Sequence, residues 1–208
     1  VVVNADVGWL RQTSSPSTLR SLPPPQEPSL SGVTALVRAR RRPDRVAHTV
    51  LFSDDADVEN AALFDARRPP AQPTVYVCAP GQAHAMTGWR DEEPLFVMVN
   101  APALPRVADE DDGALQVGLQ RLRDAGLIDV DATVVWQRGA RGLADAHPGS
   151  NGALYGAASN ARSAAFRRVP NRVRKGLYAA SGSVHPGGGV PLCLASGLLA
   201  ADALLADV

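Results

Sequence analysis

Alternating apolar and polar residues in the middle of the chain predict a β-sheet. From Val33 to Ala39 every second residue is Val or Ala, and this period of two is typical of a half-buried strand. Four further short apolar runs predict strands at residues 48–52, 74–79, 95–100 and 133–137. The middle of the chain is therefore expected to be dominated by a sheet.

Two stretches between these strands have the spacing of helices. Leucines recur every three or four residues in a helix predicted over residues 113–125, and a second helix is predicted over residues 56–66. Asp54 and Asp55 precede the second helix and offer N-cap oxygens. This role explains the two aspartates more simply than a pair of carboxylates for acid–base chemistry. We therefore expect helices packed on the sheet.

Composition along the chain predicts how it is divided. A strand of an outer domain is expected within residues 1–8, followed by a Pro- and Ser-rich connection over residues 9–31. Residues 32–156 are expected to form an inserted domain. Residues 157–208 then return to the outer domain. The sequence thus predicts a mixed α/β protein with two domains.

Near its end the chain has the pattern of a strand, a glycine-rich turn and a helix. Gly187, Gly188 and Gly189 remove every Cβ from the turn, so a flat or phosphorylated ligand can approach the main chain. Pro191 suits the first turn of a helix over residues 190–205, whose leucine face is expected to be buried. The free N–H groups and positive dipole end of this helix favour an anionic or electron-accepting ligand.

Composition narrows the class of protein. The 208 residues carry 21 basic and 21 acidic side chains, which argues against a general nucleic-acid-binding protein. Cys78 and Cys193 lie in apolar runs, which argues against a disulfide framework and for a reducing, cytoplasmic compartment. No apolar run approaches the ~20 residues of a transmembrane helix, so membrane contact is expected to be peripheral at most. No spacing of His, Cys and carboxylates predicts a metal site.

The glycine turn and several other segments carry a family resemblance. The sequence SVHPGGGVP at residues 183–191, followed by a helix of small and apolar residues, closely resembles the closing FAD-binding signature of phytoene-desaturase-type carotenoid oxidoreductases. Further segments resemble the same family in the same order, at residues 1–6, 48–55, 73–78, 95–102 and 148–156. The similarity therefore spans nearly the whole chain.

This resemblance implies the C-terminal part of a two-domain FAD-dependent oxidoreductase. Residues 32–156 would form a mixed-sheet substrate domain. Residues 1–8 and 157–208 would belong to a Rossmann-like FAD-binding domain, which the last strand, turn and helix close. The family's G-x-G-x-x-G fingerprint is absent from these residues. The chain is therefore expected to be a fragment that lacks the N-terminal FAD-binding region and is inactive alone.

The resemblance also implies an activity and a set of cofactor contacts. The activity is the removal of hydride from a lipophilic polyene isoprenoid to FAD. Gly182 and Ser183 would lie near the ribityl and pyrophosphate portion of FAD. The isoalloxazine ring would be approached by Gly188, Gly189, Val190 and Pro191. The full set of implied FAD contacts is Gly182, Ser183, His185, Gly187, Gly188, Gly189, Val190 and Pro191.

The catalytic residues are not identified by this reasoning, and the reaction has alternatives. A general-base role for His185 is disfavoured, because hydride transfer from a polyene requires orientation and a water-poor pocket more than an acid at this turn. A carotenoid isomerase or saturase on the same scaffold remains an alternative, because a fold and a cofactor motif do not fix the reaction. A non-catalytic remnant that acts as an interaction module is a third hypothesis.

Two clusters of basic residues are also visible. The first extends from Arg38 to Arg45 and is interpreted as charged protection of a sheet edge. The second extends from Arg162 to Lys175 and precedes the final strand. It is a candidate for contact with pyrophosphate or anionic lipid headgroups.

Overall fold

The computed structural model describes residues 1–104, 111–158 and 168–208. Its helices and two sheets confirm the predicted mixed α/β fold class. In chain order the elements are β1 (Val2–Val3), α1 (Val7–Thr13), α2 (Pro16–Leu19), β2 (Ser31–Arg40), β3 (His48–Leu51), α3 (Ala56–Asn60) with a π-helical continuation (Ala61–Asp65), β4 (Val75–Cys78), α4 (Pro80–Ala83), β5 (Glu92–Ala101), α5 (Asp111–Asp124), β6 (Thr133–Arg138), α6 (Ala140–Ala146), β7 (Arg172–Arg174), β8 (Leu177–Ala179) and α7 (Val190–Leu205).

The chain divides into two compact units. Unit 1 comprises Val1–Leu30 and Gly142–Val208, and unit 2 comprises the intervening Ser31–Arg141. The predicted insertion ended at residue 156, whereas unit 2 ends at Arg141. Residues 142–156 lie in unit 1 because their loop packs tightly on its first helix. A Cβ added to Gly149 would lie 2.0 Å from the backbone nitrogen of Trp9.

Unit 2 is built on an antiparallel sheet with the strand order β3-β4-β5-β2-β6. The long strands β2 and β5 pair from Ser31 opposite Ala101 to Arg40 opposite Glu92. Alternate residues of β2 are buried, as the sequence pattern predicts. One face of the sheet forms the core with α5, through Val33, Ala35, Val37, Val75, Val77, Leu95, Val97, Val99, Leu115, Leu119 and Leu122.

The capping interpretation is confirmed for Asp55, whereas the Asp54 carboxylate instead lies 3.6 Å from the Arg121 guanidinium. The side chain of Asp55 accepts hydrogen bonds from the backbone nitrogens of Asp57 and Val58, each at 3.0 Å. Glu59 has a different role, because its side chain is buried and its two oxygens accept from the Thr74 backbone nitrogen and hydroxyl at 2.7 and 2.6 Å. These bonds tie α3 to the residue that precedes β4.

The first basic cluster does not protect a sheet edge, so that interpretation is wrong. β2 lies between β5 and β6, and its hydrogen-bonding edges are both paired. The arginines beyond its end instead form ion pairs within unit 2. Arg42 lies 3.0 Å from Asp129, and Arg45 lies 2.6 Å from Glu93. The positive charges of these arginines are therefore paired with carboxylates inside unit 2.

Unit 1 contains a three-stranded sheet with the order β1-β8-β7, in which β1 and β8 are parallel. The predicted strand within residues 1–8 is short, because a helix begins at Val7. Asp6 caps this helix by accepting from the Gly8 nitrogen at 2.7 Å, and Val7 and Leu10 are buried on its inner face. The Pro- and Ser-rich connection predicted over residues 9–31 thus begins within helix α1.

Helix α7 has the predicted bounds, but its leucine face is not buried. The helix contacts β8 and β7, and its buried residues are Ser196 and Ala200. Leu194, Leu198 and Leu205 are 69%, 70% and 69% exposed. The sheet of unit 1 contacts the narrow side of the helix that bears small residues, which leaves the leucines uncovered.

Candidate functional site

The two parallel strands of unit 1 end at the same edge of their sheet, and the segments that follow them meet there. Val2 is paired with Tyr178, and Val3 is paired with Ala179. The side chain of Asn4 donates a hydrogen bond to the Ala180 carbonyl at 2.6 Å. In parallel sheets this carboxyl-end position is where ligands bind. Residues that are far apart in the sequence therefore form one surface.

Ser183 fixes the shape of this surface. Its hydroxyl accepts a hydrogen bond from the Val7 nitrogen at 2.9 Å and lies 3.0 Å from the Ser181 hydroxyl. The Ser181 nitrogen in turn donates to the Ser196 hydroxyl at 3.2 Å, inside α7. Residues 181–183 are thus joined to the start of α1 and to the interior of α7, so their backbone is held in place by the protein itself.

A cavity of about 380 Å³ opens at this edge. Its wall includes Asn4 and Asp6 after β1, Gly182 and Ser183 after β8, and Cys193 near the start of α7. A Cβ added to Gly182 would lie 3.2 Å from the Cys193 sulfur, which is tighter than ordinary van der Waals contact. A side chain at residue 182 would therefore require the Cys193 side chain or the turn to shift.

The three consecutive glycines have different environments. A Cβ on Gly188 would lie 2.8 Å from the Tyr155 Cα, and a Cβ on Gly187 would lie 3.1 Å from the Arg168 guanidinium carbon. Tyr155 and the Arg168 side chain thus occupy the space beside Gly188 and Gly187, where a ligand would otherwise approach the backbone. Gly189 has a φ of 98° and no atom within 4 Å of an added Cβ. Its bare backbone directly precedes the N-terminus of α7.

The predicted cofactor residues are consequently distributed over two places. Gly182 and Ser183 line the cavity, whereas Gly189 is next to the exposed residues Val190 and Pro191 at the helix start. The side chain of His185 is exposed, and its backbone nitrogen donates to the Val169 carbonyl at 2.9 Å. Sequence reasoning did not identify Asn4 and Asp6 as site residues. The signal for them was their position directly after an apolar strand.

The second basic cluster lies partly outside the described residues, because Arg162 and Arg167 are in the segment 159–167. Arg168 lines a neighbouring cavity of about 280 Å³ with Arg11, and this cavity shares Asp6 and Ser183 with the larger one. Arg172 instead binds Asp207 in an exposed ion pair at 2.7 Å. Contact of this cluster with pyrophosphate or anionic lipid headgroups stays a prediction, and Arg168 is a described member that lines a cavity.

In unit 2 the sheet face opposite α5 carries a second notable surface. All five strands contribute aromatic or apolar side chains to this face. We call these residues the aromatic face and define it as Val50, Tyr76, Phe96, Met98, Leu36 and Trp136. The Tyr76 and Phe96 rings meet edge to face with centroids 6.4 Å apart. Val50 and Trp136 are 45% and 41% exposed. An apolar surface extends across all five strands.

Two further properties of the described residues bear on function. No group of three or more His, Cys, Asp and Glu side chains in residues 1–104, 111–158 and 168–208 is arranged to hold a metal ion. Over the same ranges, no helix combines the length and the hydropathy that a membrane span requires.

Comparison with known proteins identifies relatives along the whole chain. No protein-family model matches. The chain is 37% identical to a hydroxyneurosporene desaturase of Rubrivivax gelatinosus, over 100% of this chain and 42% of that protein. It is 34% identical to a hydroxyneurosporene desaturase of Rhodobacter capsulatus, over 99% of this chain and 43% of that protein. A 1-hydroxycarotenoid 3,4-desaturase of a Flavobacterium species is 34% identical over 74% of this chain and 33% of its own length. The chain thus spans less than half the length of these relatives.

Proposed function

This chain belongs to the carotenoid desaturase family, and from that premise we propose that it forms the polyene-binding surface and one side of the cofactor site of an FAD-dependent oxidoreductase. The proposed reaction is the dehydrogenation of a lipophilic polyene isoprenoid. The proposed substrate class follows the relatives, whose names specify carotenoids, including hydroxylated ones. The observation that carries the proposal is the aromatic face of unit 2.

The aromatic face has the chemistry and the extent that a polyene requires. Five strands at roughly 4.8 Å spacing give a surface about 19 Å wide. Its partly exposed side chains offer apolar area on all five strands, and at the β6 edge the Arg138 guanidinium lies over the Trp136 ring, 5.2 Å from its centroid. Burial of apolar area contributes about 25 cal/mol per Å². A flat conjugated chain has no hydrogen-bonding groups along its length, so shape and apolar contact must position it. Contiguous exposed apolar surfaces of this kind commonly mark binding sites.

The residues of unit 1 fit the flavin end of FAD. The cavity at the carboxyl ends of β1 and β8, the bare backbone at Gly189 and the start of the 16-residue helix α7 together suit a flat, electron-accepting group. The positive dipole end of the helix stabilises negative charge without an ionisable side chain. When bound, FAD supplies the acceptor for the hydride that leaves a polyene C–H bond, and the adjacent carbon loses a proton.

The chain's own residues then have positioning roles. Asn4 holds the Ala180 carbonyl, and Ser183 holds the start of α1, so the cavity wall is formed before a ligand binds. Gly182 permits the approach of the turn to α7. We propose no acid or base among these residues. Because the chain contains no G-x-G-x-x-G sequence, we propose that residues outside it bind the adenosine end of FAD.

The proposed location of the protein follows from the lipid solubility of its proposed substrate. A polyene of this class partitions into lipid, so the enzyme must take it from a membrane or an equivalent apolar phase. We propose a cytoplasmic protein with peripheral membrane contact, and lipid vesicles loaded with polyene are therefore the appropriate assay medium.

Expression of the whole reading frame that encodes this chain tests the proposal. The purified protein should retain FAD, identified by its absorbance after denaturation, and should convert an acyclic carotenoid in vesicles to a product that has lost a pair of hydrogens. Phe96→Glu should strongly reduce conversion because it places a charge on the aromatic face. Val58→Glu, at a 62% exposed residue of α3, is the matched control and should have little effect. A flavin-free protein that leaves carotenoids unchanged would defeat the proposal, and isomerised or saturated products would favour the alternatives on the same scaffold.

A further inference from the structure

One edge of the aromatic face ends in a polar pair. The Nδ1 atom of His48 lies 2.8 Å from the Tyr76 hydroxyl, and the two rings are stacked with centroids 6.0 Å apart and planes at 15°. His48 is on the edge strand β3, whereas Tyr76 is on β4 beside Phe96. A surface that is apolar across the other strands therefore presents hydrogen-bonding groups at this edge.

The pair offers one donor and one acceptor whichever ring nitrogen of His48 carries the proton. If Tyr76 donates to Nδ1, the proton is on Nε2, which is then a donor, and the phenol oxygen keeps a lone pair as acceptor. If Nδ1 donates to the phenol oxygen, Nε2 is the acceptor and the Tyr76 O–H is the donor. An alcohol also has one donor and acceptor lone pairs. The pair thus matches an alcohol in both arrangements.

The phenol remains a neutral hydrogen-bonding group over the physiological range. Burial, together with the neighbouring Cys78 thiol, raises the pKa of Tyr76 above its ordinary value. Cys78 itself lies opposite His48 in the strand pairing, so it borders the same edge. The Tyr76 phenol therefore keeps its donor and acceptor character over the physiological pH range.

We infer that His48 and Tyr76 bind the hydroxyl group at the end of a hydroxylated polyene whose apolar chain lies along the aromatic face. This inference rests on the proposed function and deepens it, because it assigns the residues that distinguish hydroxylated from unhydroxylated substrates. With the hydroxyl at β3, the conjugated chain extends over Phe96 and Leu36 toward Trp136 on β6. The bound hydroxyl group would then fix the position of the polyene along the aromatic face. That position decides which C–H bond is presented for reaction.

The expected size of the effect follows from the exposure of the pair. A net hydrogen bond between uncharged groups changes affinity by up to roughly tenfold. Because His48 is exposed, water can form hydrogen bonds with the pair when the substrate lacks a hydroxyl group. Binding of such a substrate then leaves no buried polar group without a partner. We therefore expect about a tenfold preference for the hydroxylated polyene.

The test compares a hydroxylated acyclic carotenoid with its unhydroxylated counterpart in the full-length holoenzyme. Binding is measured by the induced circular dichroism of the visible carotenoid band, and conversion is measured separately. Tyr76→Phe and His48→Phe should each remove most of the tenfold preference, which is measured within each variant as the ratio of the affinities for the hydroxylated and the unhydroxylated polyene. Thr49→Val removes a hydroxyl from the same strand on the opposite sheet face, and it should keep the preference.

The possible outcomes separate this inference from the proposed function. If the wild-type protein binds and converts both polyenes equally well, the inference is overturned and the proposed function stands. If neither polyene binds, both fail. Loss of binding for both polyenes in Tyr76→Phe, with an unchanged far-ultraviolet spectrum, would show a general packing role and would also overturn the inference. The His48→Phe variant gives an independent result if Tyr76→Phe does not fold.

Discussion

Arg45 and Glu93 form a buried ion pair in unit 2, with the Arg45 Nε atom 2.6 Å from Oε1 of Glu93 and side chains that are 8% and 4% exposed. The same carboxylate oxygen accepts from the Arg42 backbone nitrogen at 3.1 Å. Arg45 also donates to the Leu127 carbonyl at 2.7 Å. The pair therefore joins the loop after β2 to the start of β5 and to the segment after α5.

Glu93→Gln should destabilise unit 2 strongly, because it leaves the buried guanidinium of Arg45 without its counter-charge. Loss of one partner of a buried pair costs about 3 to 5 kcal/mol. The neighbouring pair Arg38–Glu92 is a matched control, since its atoms are 3.5 Å apart and its side chains are 57% and 59% exposed. Glu92→Gln should cost less than about 1 kcal/mol. Urea unfolding measures both values, and equal losses would contradict the assignment of a structural role to the buried pair.

The bounds of α7 could be predicted from the sequence, whereas the pairing of Arg45 with Glu93 could not. Consecutive glycines followed by Pro191 mark a helix start through local chemistry alone, and the structure begins α7 at Val190 as expected. The ion pair depends on which strand lies beside β2. The arginines were interpreted as protecting a sheet edge because the sequence pattern does not reveal strand order.

The candidate site shows the same limit. Gly182 and Ser183 could be selected from the glycine-rich turn, but their neighbour Asn4 is separated from Ala180 by 176 residues. Parallel pairing of β1 with β8 brings these segments together, and strand pairing over such a distance leaves no local signal. Helix α1 was missed for a related reason, because a helix of seven residues depends on burial of Val7 and Leu10 more than on its own propensity.

The stability of unit 1 should depend on the ionisation of Asp207. Its carboxylate accepts from Arg172 at 2.7 and 2.8 Å and from the Tyr178 hydroxyl at 2.6 Å. The hydrogen bonds from Arg172, followed by that from Tyr178, lower the pKa of Asp207 below its ordinary value. A carboxylate with a lowered folded-state pKa stabilises the fold above its unfolded pKa, and this contribution is lost as the pH falls through the folded value.

We therefore expect the melting temperature to fall as the pH decreases below about 4, and Asp207→Asn should flatten this dependence. At neutral pH the same variant should melt at a lower temperature than the wild-type protein. Asp202→Asn, which changes an exposed carboxylate within α7, the helix that precedes Asp207, is the control and should preserve the wild-type profile. Parallel profiles for the wild type and Asp207→Asn in thermal melts from neutral to acid pH would refute the prediction.

Gly189→Ala should reduce flavin retention in the full-length protein. The residue has a φ of 98°, so an added Cβ both strains the backbone and covers the main chain at the start of α7. Gly176→Ala is the control for backbone strain, because Gly176 also has a positive φ, 80°, and no atom within 4 Å of an added Cβ. It lies in the turn before β8, so its added Cβ does not cover the start of α7. Both variants should lose a similar amount of stability. The ratio of FAD to protein, measured by absorbance, should fall for Gly189→Ala and remain near the wild-type value for Gly176→Ala. Equal retention in the two variants would remove this turn from the proposed cofactor site.

The exposed leucine face of α7 should make this chain self-associate when it is produced alone. Leu194, Leu198 and Leu205 lie on one face, and contiguous apolar surface of this kind favours aggregation. Leu198→Lys should reduce association, because it places a charge in the middle of that face without disturbing the buried residues Ser196 and Ala200. Val130→Lys, at an isolated residue that is 86% exposed, adds the same charge elsewhere and should have little effect. Light scattering during size-exclusion chromatography measures the association. A monodisperse wild-type chain, or an equal reduction of self-association by both substitutions, would show that the chains do not associate through the leucine face.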